Sequence, residues 1–273
     1  MNEVARPSVT SFAVRILAVI GVLSGGLLLL DAILPAGAAT ALSTLIRRIV
    51  GGMALTALVT TAVVLMARRI DRRPLTAIGM AGAGTAWRGF VTGALAWLVP
   101  AALALTVLGL LGEPLRVTAP AGTFWGVLAL VALAVLLTEA LPEELVFRGY
   151  VTRVLAERWA GWTVILVQSV LFATTAALLR GGAGVADLSL FLGMGIGLGY
   201  LRMVTGDVAT AVGFHTAFQT GSQLVLTHEA VELPGTQLMA MLALGAVPFA
   251  LASIGVAVVA ARQERRTESR MET

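Results

Sequence analysis

The sequence predicts an all-α protein, a polytopic membrane helix bundle of about eight transmembrane helices, and three observations carry that expectation. Apolar residues make up 58 % of the 273-residue chain and charged residues 12 %, against roughly 45–50 % and about 25 % in soluble proteins. Mean hydropathy is +0.92. The apolar residues fall in long continuous runs, not in the period-two alternation of a membrane β-barrel. No soluble globule could cover such a chain with polar surface. Composition therefore excludes a cytosolic enzyme, a secreted disulfide scaffold and a disordered partner.

Eight runs approach the ~20 residues a helix needs to cross a bilayer. They are Ile16–Leu34, Ile49–Ala67, Phe90–Leu111, Phe124–Leu141, Trp162–Leu179, Leu188–Met203, Val208–Leu226 and Leu238–Ala260. Arginine placement orients them. With the N-terminus inside, 15 of the 19 arginines fall in cytoplasmic segments, and only Arg47, Arg48, Arg116 and Arg180 fall outside. That is the positive-inside bias, and it places both termini in the cytoplasm. The first run has a rival reading. Arg6 and Arg15 precede it and Pro-Ala-Gly-Ala-Ala follows at 35–39, as in a signal peptide. The run is long for an h-region and Asp31 interrupts it, so an uncleaved anchor is preferred. The segment Arg68–Arg88 reads as a cytoplasmic loop near anionic lipid, and residues 262–273 as a disordered cytoplasmic tail. The whole of 1–273 reads as a single membrane-embedded domain.

The net charge of +4 comes from arginines beside spans and does not point to nucleic acid. Every basic residue is arginine; with the abundant alanine this suggests a GC-rich bacterial genome, hence a bacterial plasma membrane. Cysteine is absent, which removes disulfides, thiolate nucleophiles and Cys-based metal sites. The only histidines are His215 and His228, so any acid–base or metal chemistry has those two to work with.

The chemistry concentrates in Thr138–Leu155, T-E-A-L-P-E-E-L-V-F-R-G-Y-V-T-R-V-L. Glu139, Glu143 and Glu144 sit at the inner end of the fourth run. Glu139 and Glu143 share a face if the helix continues through Pro142. Glu144 precedes Arg148 by four, the order that favours an i,i+4 pair, and Glu143 then points about 100° away. On a soluble helix this would be a solvated salt bridge. Beside a membrane span, ionisable groups cost at least ~2.5–3.5 kcal/mol each and usually serve a purpose.

E-E-L-V-F-R-G-Y resembles the first motif of the CPBP family, the CAAX proteases and bacteriocin-processing enzymes also called the Abi family. These are multi-span intramembrane peptidases. Their pattern is Glu-Glu-x-x-x-Arg, then Phe-x-x-x-His, then His-x-x-x-Asn or Asp on a later helix. Glu143, Glu144, Arg148 and Gly149 match the first motif, and the resemblance covers roughly Leu130 to Val225, a CPBP-like core at 130–225. The second motif departs: S-V-L-F-A-T-T-A keeps Phe172 but has Ala176 where histidine belongs. The third is half kept, with His215 followed by Gln219 in G-F-H-T-A-F-Q. The resemblance implies a CAAX-protease-like bundle in which Glu143 activates water, Glu144 and Arg148 orient the site, and His215 helps hold the water and stabilise the oxyanion, with Gln219 keeping the amide chemistry of the third motif. Glu143, Glu144, Ala176, His215 and Gln219 would line one cavity between the fourth, fifth and seventh runs, open to the cytoplasmic side. No cofactor is expected, and no tightly bound metal. Catalytic zinc normally takes three protein ligands, and His215 with Glu143 supplies two, Gln219 being a weak third.

Other features read as structural. His228, 13 residues beyond His215, reads as an exposed loop histidine. Glu139 reads either as a spare carboxylate in the space that Ala176 leaves open or, preferably, as a protonated, hydrogen-bonded packing residue. The run G-M-G-I-G-L-G-Y at Gly193–Tyr200 lies within an apolar span and suits close helix packing rather than phosphates. Two functional classes stand. One is an intramembrane endopeptidase, weak or inactive because of Ala176, acting on a membrane-associated peptide or protein. The other is a non-catalytic protein on the same scaffold, such as an immunity factor, chaperone or membrane-protein partner. A small-solute transporter ranks third, since no internal repeat is visible.

Overall fold

The computed structural model describes residues 9–34, 42–228, 230–233 and 235–258. The expected tail at 262–273 and the cleavage-like residues at 35–39 lie outside them.

Eight long helices build the described part of the chain: α1 (Val9–Ile33), α2 (Leu42–Ile70), α3 (Ala83–Leu110), α4 (Gly122–Leu155), α5 (Trp162–Leu179), α6 (Val185–Thr205), α7 (Val208–Leu226) and α8 (Met239–Val258). Seven of these segments are long and apolar enough to cross a membrane. The protein is an integral membrane protein and an all-α bundle. The helix that falls short is α7, which carries His215, Gln219 and Gln223. Its polarity has a packing cause. Eleven of its residues are buried, on every side of the helix, because α3, α4, α6 and α8 surround it. A helix that meets few lipid tails needs no continuous apolar surface.

Close approach between α3 and α7 depends on absent side chains. A Cβ on Gly93 would run into the carbonyl of Thr210, and one on Gly213 into the carbonyl of Phe90. Small residues that let backbones touch are the usual means of helix association in lipid. The glycines of α6 act similarly. A Cβ on Gly195 would stand 2.6 Å from Ser169 Cβ of α5, and one on Gly199 2.7 Å from Gln168 Nε2.

The two ends of the bundle differ. At one end Arg15 of α1 bonds Asp71 (2.7 Å) and Glu157 (2.5 Å), joining three segments that the arginine count groups together. The turn between α6 and α7 lies at that end too. Gly206 closes α6 in the left-handed region (φ 69°), and the Asp207 carboxylate accepts the Ala209 N–H (3.0 Å) to start α7. At the opposite end, β1 (Arg116–Val117) pairs antiparallel with β2 (Val231–Glu232), Arg116 opposite Glu232. Between the ends, a core of Trp97, Phe214, Phe218 and Phe249 packs edge-to-face, and Trp97 Nε1 donates to the Leu244 carbonyl (2.9 Å).

Candidate active site

The Glu-Glu motif lies inside a helix, not at its end. The sequence places the end of the fourth span at Leu141; α4 instead continues to Leu155. At 1.5 Å per residue its 34 residues extend ~51 Å, well beyond a ~30 Å hydrocarbon core. Two π-helical turns, Leu136–Ala140 and Leu145–Val151, flank the segment Leu141–Glu144. The first of them absorbs Pro142. Proline inside a regular helix clashes with the carbonyl four residues back. Here the Leu141 N–H already bonds five back, to Leu136 O, so the turn is wider where the ring must fit. Such turns occur often at functional sites.

Behind the site runs a buried charge chain. Glu144 and Arg148 are both fully buried, and Arg148 Nη1 donates to Glu144 Oε1 at 2.9 Å. The same oxygen meets His215 Nδ1 of α7 at 2.9 Å. Arg148 Nη2 donates to the Met194 carbonyl of α6 (3.1 Å), and its guanidinium lies 4.6 Å over the Phe172 ring of α5. One arginine thus ties α4 to α5 and α6, and one carboxylate ties α4 to α7. The carboxylate can only accept, so His215 Nδ1 carries a proton. Its Nε2 is then a lone pair in the neutral ring and a donor in the protonated ring.

In front of this chain is a cavity of about 270 Å³. His215, Glu143, Gln219, Glu139, Asp31 and Ala176 all line it. Four of the expected residues, Glu143, Ala176, His215 and Gln219, therefore share one space. Glu144 and Arg148 do not face it; they hold His215 from behind. Glu143 makes no hydrogen bond or ion pair to another described residue. The walls also include α1 and α6, beyond the expected three helices.

The lining also sets the cavity's position along the bundle. Leu28 and Asp31 near the end of α1, Leu179 and Arg180 at the end of α5, and Leu190 early in α6 line it. These belong to the end of the bundle that carries the β pair, opposite the Arg15–Asp71–Glu157 cluster. Because α4 does not stop at Leu141, Glu143 stands within the bundle rather than at its arginine-rich face.

Glu139 also differs from the packing residue preferred from sequence. Its side chain is 23 % exposed, and Oε1 accepts from Arg48 Nη2 of α2 (3.0 Å) and Gln223 Nε2 of α7 (2.8 Å). Arg48 Nη1 in turn bonds Gln223 Oε1 (3.2 Å). Nothing local signals this triangle, since Arg48 lies 91 residues from Glu139. His228 is not an exposed loop histidine. It is 2 % exposed, because the chain turns back beyond α7, the His228 N–H bonding Gln223 O (2.8 Å). It does not line the cavity.

The donor set fits a metal poorly. Among the described residues no three His, Cys, Asp or Glu side chains are grouped to hold an ion. Glu143 and His215 face the cavity, but Glu144 is committed to Arg148.

No curated protein matches the chain. Residues 120–221 match the family model described as type II CAAX prenyl endopeptidase, Rce1-like. That stretch holds both ends of the charge chain, Glu144 with Arg148 on α4 and His215 on α7, together with Glu143, Ala176 and Gln219. Over residues 120–221 this integral membrane protein thus resembles the CPBP/CAAX-protease family.

Proposed function

We propose that the chain is an intramembrane endopeptidase in which Glu143 activates a water molecule for attack on a peptide bond. The observation that supports this best is the chain Arg148–Glu144–His215, which delivers one imidazole to the same cavity as an unpaired carboxylate. Glu143, with no fixed donor, is free to take a proton from water. His215, backed by Glu144 and donating from both nitrogens when protonated, stabilises the charge that develops on the carbonyl oxygen. The Gln219 amide N–H is a second donor. This is electrostatic stabilisation by groups held in place before reaction. Glu144 and Arg148 are positioning residues.

Ala176 weakens this apparatus by removing a group where the family pattern has histidine, and loss of one such donor costs ~10²–10³ in rate. Ala176 also favours the second reading, a non-catalytic scaffold. With the N-terminus in the cytoplasm, as the arginine bias supports, the cavity faces the other side of the membrane. A substrate peptide then arrives from that side or laterally through the bilayer.

The test is hydrolysis of membrane-associated peptides by purified protein, alongside Glu143→Gln and Ala176→His. The peptidase reading expects slow cleavage, loss on Glu143→Gln, and a gain on Ala176→His. Cleavage unaffected by Glu143→Gln, or none from either the natural protein or Ala176→His, overturns it in favour of the scaffold.

A further inference from the structure

We propose that Glu139 is a further catalytic group, one that orients the attacking water from the space left by Ala176. The inference rests on the peptidase reading above. Glu139 lines the same cavity as Glu143, one turn earlier on α4, and Ala176 lines it from α5. Its placement is not that of a stray surface acid. Two side chains from two other helices, Arg48 of α2 and Gln223 of α7, both donate to Oε1. They bond each other as well, so the carboxylate is fixed in angle and depth. Among the described residues its second oxygen, Oε2, has no hydrogen-bond partner, and the side chain keeps 23 % exposure within a cavity wall.

A nucleophilic water must be held as well as deprotonated. It has two O–H bonds, and one base leaves it free to rotate about the bond it donates. In the proposed step the water donates one O–H to Glu143 and the other to Glu139 Oε2, which aims its lone pair at the carbonyl carbon. As the O–C bond forms, Glu143 takes the first proton and the carbonyl π pair moves onto oxygen, facing His215 and Gln219. The C–N bond then breaks and the departing nitrogen takes the proton from Glu143. The second proton stays on the new carboxyl group; Glu139 gains none. Glu139 thus fixes the water, a task an alanine methyl cannot perform. Arg48 and Gln223 are positioning residues for it.

The geometry makes one substitution diagnostic. In Glu139→Gln, the amide oxygen must face Arg48 Nη2 and Gln223 Nε2, since both only donate. The amide NH₂ then faces the cavity, and the water meets a donor where it needs an acceptor. Fold and hydrogen bonds to Arg48 and Gln223 persist. The expected result is a kcat lower by about 10²-fold, the scale of losing one preorganised group, with KM nearly unchanged. Ala176→His in the Glu139→Gln background should recover most of the loss. Glu139→Asp, which keeps the charge but withdraws the oxygen, should fall between. Wild-type kcat in Glu139→Gln, an effect on KM alone, or no recovery with Ala176→His overturns the proposal. If Glu143→Gln is inactive while Glu139→Gln is normal, this proposal alone fails. If neither the natural protein nor Ala176→His cleaves, the peptidase reading fails with it.

Discussion

Replacing Arg148 by alanine should unfold more of this protein than any other single truncation at the site. The side chain is fully buried and makes three contacts: 2.9 Å to Glu144, 3.1 Å to the Met194 carbonyl, and 4.6 Å over Phe172. Truncation leaves the Glu144 carboxylate without its cation in a place water does not reach, with only His215 to answer it. Breaking one partner out of a buried ion pair costs ~3–5 kcal/mol, most of it the stranded charge. At about 2–4 °C per kcal/mol for a chain of this size, the midpoint should fall by roughly 6–20 °C. Thermal unfolding in detergent measures this, with the monodisperse fraction as a second readout. The double variant Glu144→Gln with Arg148→Met should be distinctly more stable than Arg148→Ala, because it strands no charge. A midpoint within ~2 °C of the natural protein for Arg148→Ala would refute the reasoning, because no buried charge would have been stranded. A double variant no better than the single would show that packing, not charge, sets the cost.

His215→Gln should abolish peptide hydrolysis while lowering the midpoint less than Arg148→Ala, since Glu144 keeps Arg148; equal losses would make His215 a structural residue. Gly213→Ala should cost ~1–3 kcal/mol or more by driving α3 from α7 at the Phe90 carbonyl. Gly126→Ala, where nothing stands within 4 Å, is its control, and equal midpoints would refute the close contact. Because the chain has no cysteine, single cysteines report sidedness directly. In intact cells Arg180→Cys should react with an impermeant thiol reagent and Arg72→Cys should not; the reverse would turn the cavity to the cytoplasm.

The sequence by itself determined the class of molecule and named four residues that the fold brings to one cavity, Glu143, Ala176, His215 and Gln219. A chain with 58 % apolar residues in continuous runs can only fold in lipid, and there helices satisfy their own backbone. The spacing of Glu144 and Arg148 was enough to predict their pair, because four residues bring side chains together on one helix whatever surrounds it. Tertiary structure decided the rest. Where α4 ends depends on whether neighbours bury residues 141–155, and they do. The low hydropathy of α7 acquires its meaning only once other helices surround it. Glu139 looked like packing because its partners, Arg48 and Gln223, lie 91 and 84 residues away. Which end of the bundle the cavity faces follows from how α1, α5 and α6 cross, a property no single run contains. Local spacing is read along one helix; charge pairing, burial and cavities belong to contacts between helices, and those exist only after the chain has folded.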